Sequence, residues 1–222
     1  MNRRNMLMTK SYPWMMNQKG FSLTELLVVL IICGIVVAGI YRVFVAQTKA
    51  YVVQDQVVEV QQGIRSAMEI ILRDLRMTGF DDDSPPSKIA VTRPLVPGDH
   101  SVTISYEYDH TTCHTIAYTR DGSALRLTRR LTITKDDGKV VIEPVEVLLE
   151  NVDALNFTFG VDIDDDGFVD NWVPSAGIGM SKVVAIRVVL TARPVQVNPD
   201  LTVISPRTLE STVVLRNLCM VK

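Results

Sequence analysis

The fold of this chain is decided by residues 19–41, which read KGFSLTELLVVLIICGIVVAGIY. The apolar run from Leu26 to Tyr41 contains no charged residue, and Glu25 stands directly before it. As a helix, residues 21–41 are long enough to cross about 30 Å of hydrocarbon. A charge inside such a segment is costly, so Glu25 is a candidate functional residue.

The segment before the apolar run is basic. Residues 1–20 contain no acidic residue and four basic ones, namely Arg3, Arg4, Lys10 and Lys19. A secretory signal is normally cut after its apolar core, whereas here the junction between Gly20 and Phe21 precedes that core. Cleavage at this junction would leave the apolar helix on the mature chain, and the basic leader favours a cytoplasmic N-terminus. An ordinary signal anchor with an incidental glutamate is the alternative interpretation.

The order of a basic leader, Gly20, Phe21, Glu25 and a long apolar helix resembles the N-terminus of type IV pilins and of type II secretion pseudopilins. The resemblance implies that a prepilin peptidase cuts after Gly20 and that the new N-terminal residue, Phe21, is N-methylated. Glu25 would then be the fifth mature residue. Pairing of its carboxylate with the free amine of a neighbouring subunit would set the axial register of a filament.

Composition limits the rest of the chain to about one globular domain and an anchor. The chain has 222 residues and a formal net charge of −2. Loss of the leader, with its four positive and no negative charges, would take the formal charge to −6. A negative mature chain argues against a general nucleic-acid-binding surface.

The helix is predicted to continue past the membrane segment, from Arg42 onward. Apolar residues recur there at alternating steps of four and three, a spacing typical of an amphipathic helix, at Val53, Val57, Val60, Ile64, Ala67, Ile71 and Leu75. Gly79 and the segment DDDSPP at 81–86 end the pattern. The acidic stretch Asp81–Asp83 is interpreted as a solvated turn and not as a catalytic carboxylate pair.

After residue 87 the apolar pattern changes to a period of two, which is typical of strands. The predicted strands are Val102–Tyr108, His114–Arg120, Leu125–Arg129, Leu131–Lys135, Val140–Ile142, Leu155–Val161, Val183–Thr191 and Thr208–Arg216. Asp121-Gly122 and Asp137-Gly138 indicate hairpin turns.

The sequence therefore predicts an α+β, pilin-like fold, in which a long N-terminal helix packs on a C-terminal antiparallel β-sheet head. The expected boundaries are a removed leader at 1–20, a transmembrane half of the helix at 21–41, an amphipathic half at 42–78 and the head at 79–222.

A second resemblance concerns the mature chain. Residues 68–80, MEIILRDLRMTGF, resemble the end of the helix in PilW-family minor pilins. Further segments follow that family in order, namely LENVDALNFTFGVD at 149–162, an Asp-rich loop, VAIRV at 184–188 and TVVLRN at 212–217. Pseudopilin J of type II secretion has a similar plan and is the close alternative.

The resemblance implies a minor pilin that enters a type IV pilus through its helix and helps to initiate or cap assembly. Its implied partners are other major and minor pilins, the prepilin peptidase and N-methyltransferase, and an inner-membrane assembly platform. Its implied location is the inner membrane, crossed once with a periplasmic head, and later the pilus at the cell surface. A minor pseudopilin of type II secretion is the alternative function.

A membrane-anchored enzyme or receptor is a third class. It is disfavoured, because the chain has no Gly-x-Ser-x-Gly, no P-loop and no dinucleotide fingerprint.

One constellation suggests a ligand, since residues 162–170 read DIDDDGFVD. Carboxylates at relative positions 1, 3, 5 and 9, with glycine at 6, match the first part of an EF-hand calcium loop. The candidate Ca²⁺ ligands are Asp162, Asp164, Asp166, the carbonyl of Phe168, and Asp170. The pattern fails at the twelfth position, which is Val173 instead of glutamate. A solvated acidic loop is the alternative.

The cysteines and histidines carry weaker signals. His110, Cys113 and His114 lie close in sequence but lack a second ligand pair, so a zinc site is disfavoured. Cys113 and Cys219 are the two cysteines of the head, and in a periplasmic or extracellular compartment they are candidates for a disulfide. Cys33 falls in the membrane segment, where it acts as a small apolar residue.

Overall fold

The computed structural model describes residues 20–82, 89–179, 181–194 and 205–219. The leader residues Arg3, Arg4, Lys10 and Lys19 lie outside the described residues, as do Asp83 and the side chain of Cys219. The chain divides into two units, Met1–Thr48 and Lys49–Lys222.

Helix α1 runs from Leu23 to Arg76, two residues inside the predicted span at each end. In the first unit its large apolar side chains are exposed, from 47% at Val29 to 79% at Leu23. A helix that is apolar on all sides must be covered by lipid or by other helices. In the described part of the chain, α1 is the one helix whose length and composition suit a membrane span.

The second unit contains the rest of α1, and here the helix is amphipathic. Its buried apolar residues are Ile64, Ala67, Met68, Ile71 and Leu75. Four of these belong to the predicted stripe of alternating steps, so the amphipathic assignment is confirmed. This face packs into one core together with side chains from both sheets of the head.

The described part of the head forms two antiparallel sheets. Sheet A contains β1 (Leu95–Pro97), β2 (Ser101–Asp109), β3 (Thr112–Asp121), β4 (Arg126–Lys135), β5 (Val140–Ile142) and β6 (Glu146–Leu149). Its strand order is β1-β2-β3-β4-β5, and β6 also pairs with β4. Sheet B contains β7 (Val152–Asp162), β8 (Asn171–Val173), β9 (Lys182–Ala192) and β10 (Arg207–Val214), in the order β10-β9-β7-β8. The predicted α+β, pilin-like fold class is confirmed.

Two strand predictions need correction. The segments predicted as Leu125–Arg129 and Leu131–Lys135 form the single strand β4, because the alternation continues through an exposed Arg130 that pairs with Ala117. The last strand was expected to reach Arg216, but β10 ends at Val214 and the short helix α2 spans Arg216–Cys219.

Gly63 is explained by packing. A Cβ at this position would lie 2.9 Å from Leu149 Cδ1 in β6. Glycine weakens a helix by about 0.5–1 kcal/mol relative to alanine. Here it permits α1 and sheet A to approach closely.

The C-terminal end of α1 is bound to sheet A and to α2, the short helix that follows the last strand of sheet B. The Gly79 N–H donates to the Ser105 carbonyl in β2 at 3.0 Å, with Gly79 at a φ of 71°. The Asn217 side chain, in α2 beyond β10, donates to the carbonyls of Arg76 and Thr78, both at 3.3 Å. The two Asn217 hydrogen bonds satisfy carbonyl groups that a helix end leaves without partners.

Candidate functional site

The predicted processing junction lies directly ahead of α1. Gly20 and Phe21 precede the first helical residue, and the Phe21 side chain is 80% exposed. The helix begins where the Leu26 N–H donates to the Ser22 carbonyl at 3.1 Å. Among the described residues, no heavy atom beyond the chain neighbours lies within 4 Å of a Cβ placed on Gly20. The described part of the chain therefore leaves the junction sterically open.

Glu25 lies in the first turn of α1 and is exposed among apolar side chains. Between residues 20 and 48 the only cation in the sequence is Arg42, 17 residues further on. Along a helix this separation corresponds to about 25 Å. In the described part of its unit, Glu25 therefore has no cation within reach.

The acidic loop, residues 162–170, connects β7 to β8. The side chain of Asp162 is buried, with its Oδ1 accepting from the Asp165 N–H at 2.7 Å and its Oδ2 from the Gly167 N–H at 2.9 Å. Carboxylate oxygens of Asp162, Asp164 and Asp166 lie within 4.8 Å of one another. The structure thus brings together three of the predicted calcium ligands.

The other two predicted ligands have different surroundings. Asp170 Oδ2 accepts from the Ile163 N–H at 2.7 Å and closes the base of the acidic loop. The Phe168 side chain is 74% exposed. The pKa of Asp164 is raised, mainly by partial desolvation and secondly by the negative charges of Asp166 and Asp170. Clustered carboxylate oxygens are the ligands that Ca²⁺ prefers, and the calcium site stays a prediction.

The histidines of the β2–β3 hairpin have separate partners. The His114 ring stacks on Tyr108 with centroids 4.2 Å apart, and burial lowers the pKa of His114. His110 Nδ1 lies 3.8 Å from Glu107 Oε1. Among the described residues, no group of three metal-ligating atoms includes either histidine.

Cys113 is half-buried on β3 and has no disulfide partner among the described side chains, and burial raises the pKa of its thiol. Its Sγ lies 3.9 Å from the His114 carbonyl. Because the side chain of Cys219 lies outside the described residues, the Cys113–Cys219 disulfide stays a prediction. Cys33 is an exposed thiol on α1, in the apolar segment.

Sequence reasoning missed a buried ionic cluster. Asp74 on α1 is 5% exposed and accepts hydrogen bonds from Tyr118 Oη at 2.6 Å and from Arg129 Nε at 3.0 Å. Arg129 Nη1 also lies 3.6 Å from Glu146 Oε2. The available signal was the position of Asp74, three residues after Ile71 on the apolar face. An acidic residue on a buried face requires a partner.

Comparison with known families gives two matches. The prokaryotic N-terminal methylation motif matches residues 15–41, which include the Gly20–Phe21 junction and the first part of α1. The model of Type IV Pilus-assembly protein W matches residues 116–215, from within β3 to the end of β10. No curated protein gives a significant match. The chain is a type IV pilin-like protein, in which an N-terminal methylation motif on a long apolar helix is followed by a head whose residues 116–215 match the PilW model.

Proposed function

We propose that this chain is a minor pilin subunit of a type IV pilus, processed by prepilin peptidase and incorporated through its N-terminal helix. In the pilus it helps to initiate or cap assembly. The observation that carries the proposal is the open Gly20–Phe21 junction directly ahead of α1, with Glu25 in the first turn of that helix. The matches to the methylation motif and to the PilW model support it.

Processing would follow from the order of the segments. Cleavage after Gly20 removes the basic leader and leaves α1 as the anchor, and the new amine at Phe21 is then methylated. A secretory signal, by contrast, loses its apolar core on cleavage. The first unit therefore keeps the exposed apolar surface that a subunit needs, first in the membrane and then against other helices.

Incorporation would depend on Glu25. A carboxylate without a partner is costly in hydrocarbon, and the described part of the first unit offers no cation near it. The amine of Phe21 on an adjacent subunit neutralises this charge only when the two helices are in one axial register. The same residue thus stabilises the correct arrangement and penalises displaced ones.

Before assembly the chain would cross the inner membrane once, with its N-terminus in the cytoplasm and its head in the periplasm, because the basic leader is retained on the cytoplasmic side. Its partners are the prepilin peptidase and N-methyltransferase, the inner-membrane assembly platform, and other major and minor pilins. The head serves as a structural element and not as an enzyme.

The test is intact-mass and N-terminal peptide mass spectrometry of the chain isolated from native membranes and from sheared surface pili. We expect a chain that begins at N-methylated Phe21 in both fractions. A chain that begins at Met1, or one cut after Tyr41, would support the signal-anchor interpretation. A processed chain that is absent from surface pili, and whose deletion abolishes protein secretion, would identify a pseudopilin.

A further inference from the structure

Strand β10 is the longest edge strand in the described part of the head. It spans eight residues, Arg207–Val214, and among the described strands it pairs with β9 alone. The other edge strands, β1, β5, β6 and β8, have only three or four residues. In an antiparallel pair, alternate residues of an edge strand direct their N–H and C=O groups away from the neighbouring strand. The free edge of β10 therefore offers a row of hydrogen-bond donors and acceptors.

The sequence of β10 lacks the features that usually prevent pairing at a sheet edge. Proteins protect such edges with prolines, lysines, bulges or very short strands. Residues 207–214 read RTLESTVV, without proline or lysine, and the pairing of β9 with β10 contains no register shift. Thr208, Glu210, Thr212 and Val214 are exposed. Sheet B can therefore accept a further strand beside β10.

Positive charge is concentrated at the two ends of this strand. Arg207, at the start of β10, lines a cavity of about 450 Å³ together with Arg65 of α1. Arg216, just past the end of β10, lines a separate cavity of about 480 Å³ together with Arg76 of α1. All four side chains are exposed. In the described part of the chain, none of them forms an ion pair with a carboxylate.

The acidic residues near this edge leave it positive. Glu210 is paired with Arg187 of β9 at 3.3 Å. Asp74 is buried on α1 and bound to Arg129. Glu69 is the remaining acidic residue of α1 in this stretch, and its single charge stands against four arginines. The chain without its leader has a formal charge of −6, so this positive edge is a local exception. Opposite charge favours an acidic partner.

We propose that β10 binds an extended acidic segment of a different pilin subunit, which adds to sheet B as a further strand. Main-chain hydrogen bonds to β10 supply the affinity, as in other complexes formed by strand addition. Carboxylates at the two ends of the segment pair with the arginines, because the guanidinium fork of N–H donors matches a carboxylate. The seven steps from Arg207 to Val214 correspond to about 24 Å, so a segment of about eight residues spans the edge.

The two parts of this proposal have different foundations. That the partner is a pilin subunit rests on the proposed function, whereas the addition of a strand rests on β10 and its arginines alone. Strand addition involves neither Glu25 nor processing at Phe21. It can therefore be tested on the isolated chain, and its failure would leave the pilin assignment intact.

The test of strand addition uses the full chain in detergent micelles and a fluorescent octapeptide of alternating valine and threonine with an aspartate at each end. Fluorescence anisotropy measures the Kd, and amide hydrogen exchange follows residues 207–214. One control peptide has N-methylated amides, so it keeps its side chains but cannot donate to β10. A second control peptide has lysines in place of the aspartates. The arginine variant is Arg207→Glu with Arg216→Glu, and the control variant, Arg130→Glu with Lys139→Glu, reverses two exposed cations outside sheet B.

We expect the aspartate peptide to bind the unmodified chain and the control variant with the same Kd, and to slow amide exchange within β10. Binding should be at least tenfold weaker for the N-methylated peptide, for the lysine peptide and for the arginine variant. Strand addition is overturned if the aspartate peptide does not bind. It is also overturned if N-methylation or the lysine exchange leaves the Kd unchanged, two results that do not depend on the folding of a variant.

The partner is tested in pilus-bearing cells that carry a photo-reactive side chain in place of Thr212. We expect a cross-link from β10 to an acidic segment of a different pilin subunit, identified by peptide mass spectrometry. A cross-link only to copies of this chain, or no cross-link in processed chains, would overturn the assignment of the partner. The N-terminal peptide measured in the same sample shows separately whether the chain is processed as a pilin.

Discussion

Tyr118 Oη donates a 2.6 Å hydrogen bond to Asp74 Oδ2, across 44 positions of the sequence. The bond connects the amphipathic part of α1 to β3 in the middle of sheet A. Arg129 completes the cluster, with its Nε 3.0 Å from the same oxygen. Burial, reinforced by the hydrogen bond to Asp74, raises the pKa of Tyr118, so the phenol remains a donor at physiological pH.

Removal of this phenol should destabilise the head. Tyr118→Phe takes a donor from a buried carboxylate, and a hydrogen bond to a charged group contributes about 1.5–3 kcal/mol. We expect a decrease of that size in the free energy of unfolding, measured by urea titration of the full chain in detergent with circular dichroism. The matched control is Tyr108→Phe, whose ring is 64% exposed. Equal losses in the two variants would contradict a special role for the Asp74 contact.

Gly160→Ala should also destabilise the head, by overpacking. A Cβ on Gly160 would lie 2.9 Å from Val169 Cγ2 and 3.2 Å from Ala185 Cβ. Such crowding costs about 1–3 kcal/mol. Val169→Ala in the same chain should recover part of the loss, while Gly122→Ala, in an open turn, should change little. If the losses of stability from the two substitutions add in the double variant, Val169 is not the side chain that the new Cβ contacts.

Gly20→Ala should block maturation. The proposed peptidase site requires a glycine before Phe21, so the variant should accumulate in the membrane as a full-length precursor. Immunoblots of membrane fractions would show the heavier band, and Gly34→Ala, deeper in α1, is the control. Normal processing of the Gly20 variant would refute the cleavage assignment.

Glu25→Gln should separate processing from incorporation. The variant keeps the side-chain shape and loses the charge, so we expect normal cleavage but little protein in sheared pili. Quantitative mass spectrometry measures the ratio of the variant in the pilus fraction to the variant in the membrane fraction. Glu143→Gln, on the loop after β5, is the control. Undiminished incorporation would remove Glu25 from any role in axial register.

Calcium should stabilise the head if the acidic loop binds it. Binding to the folded state alone adds about 2.7 kcal/mol at a hundredfold excess over Kd. We expect Ca²⁺ to raise the Tm of the full chain in detergent, and Asp164→Ala with Asp166→Ala to abolish the increase. Mg²⁺ is the control ion, because it demands tighter octahedral geometry. If Ca²⁺ does not raise the Tm of the unmodified chain, the acidic loop is not a calcium site.

The sequence predicted the elements that have strong local patterns. Helix α1 was recognisable from its apolar run and from the stripe through Ile64 and Ile71, and the longer strands from their alternation. Strands β1, β6 and β8 have only three or four residues. They exist through pairing with neighbours, so they leave little local signal.

Part of the candidate site could likewise be predicted from the sequence. Gly20, Phe21, Glu25 and the spacing of the acidic loop could be read directly, because each depends on adjacent residues. The cluster of Asp74, Tyr118 and Arg129 could not, since its members are 44 and 55 positions apart. The charge of Asp74 on an apolar face predicts that a partner exists but does not identify it.

The attachment of the end of α1 to both sheets has a mechanical consequence. Tension on the helix reaches sheet A through the Gly79 N–H bond to Ser105, and it reaches sheet B through the Asn217 side chain of α2, which follows β10. The two sheets therefore bear the load together. In the proposed filament, a pull along α1 would therefore be resisted by both layers of the head at once.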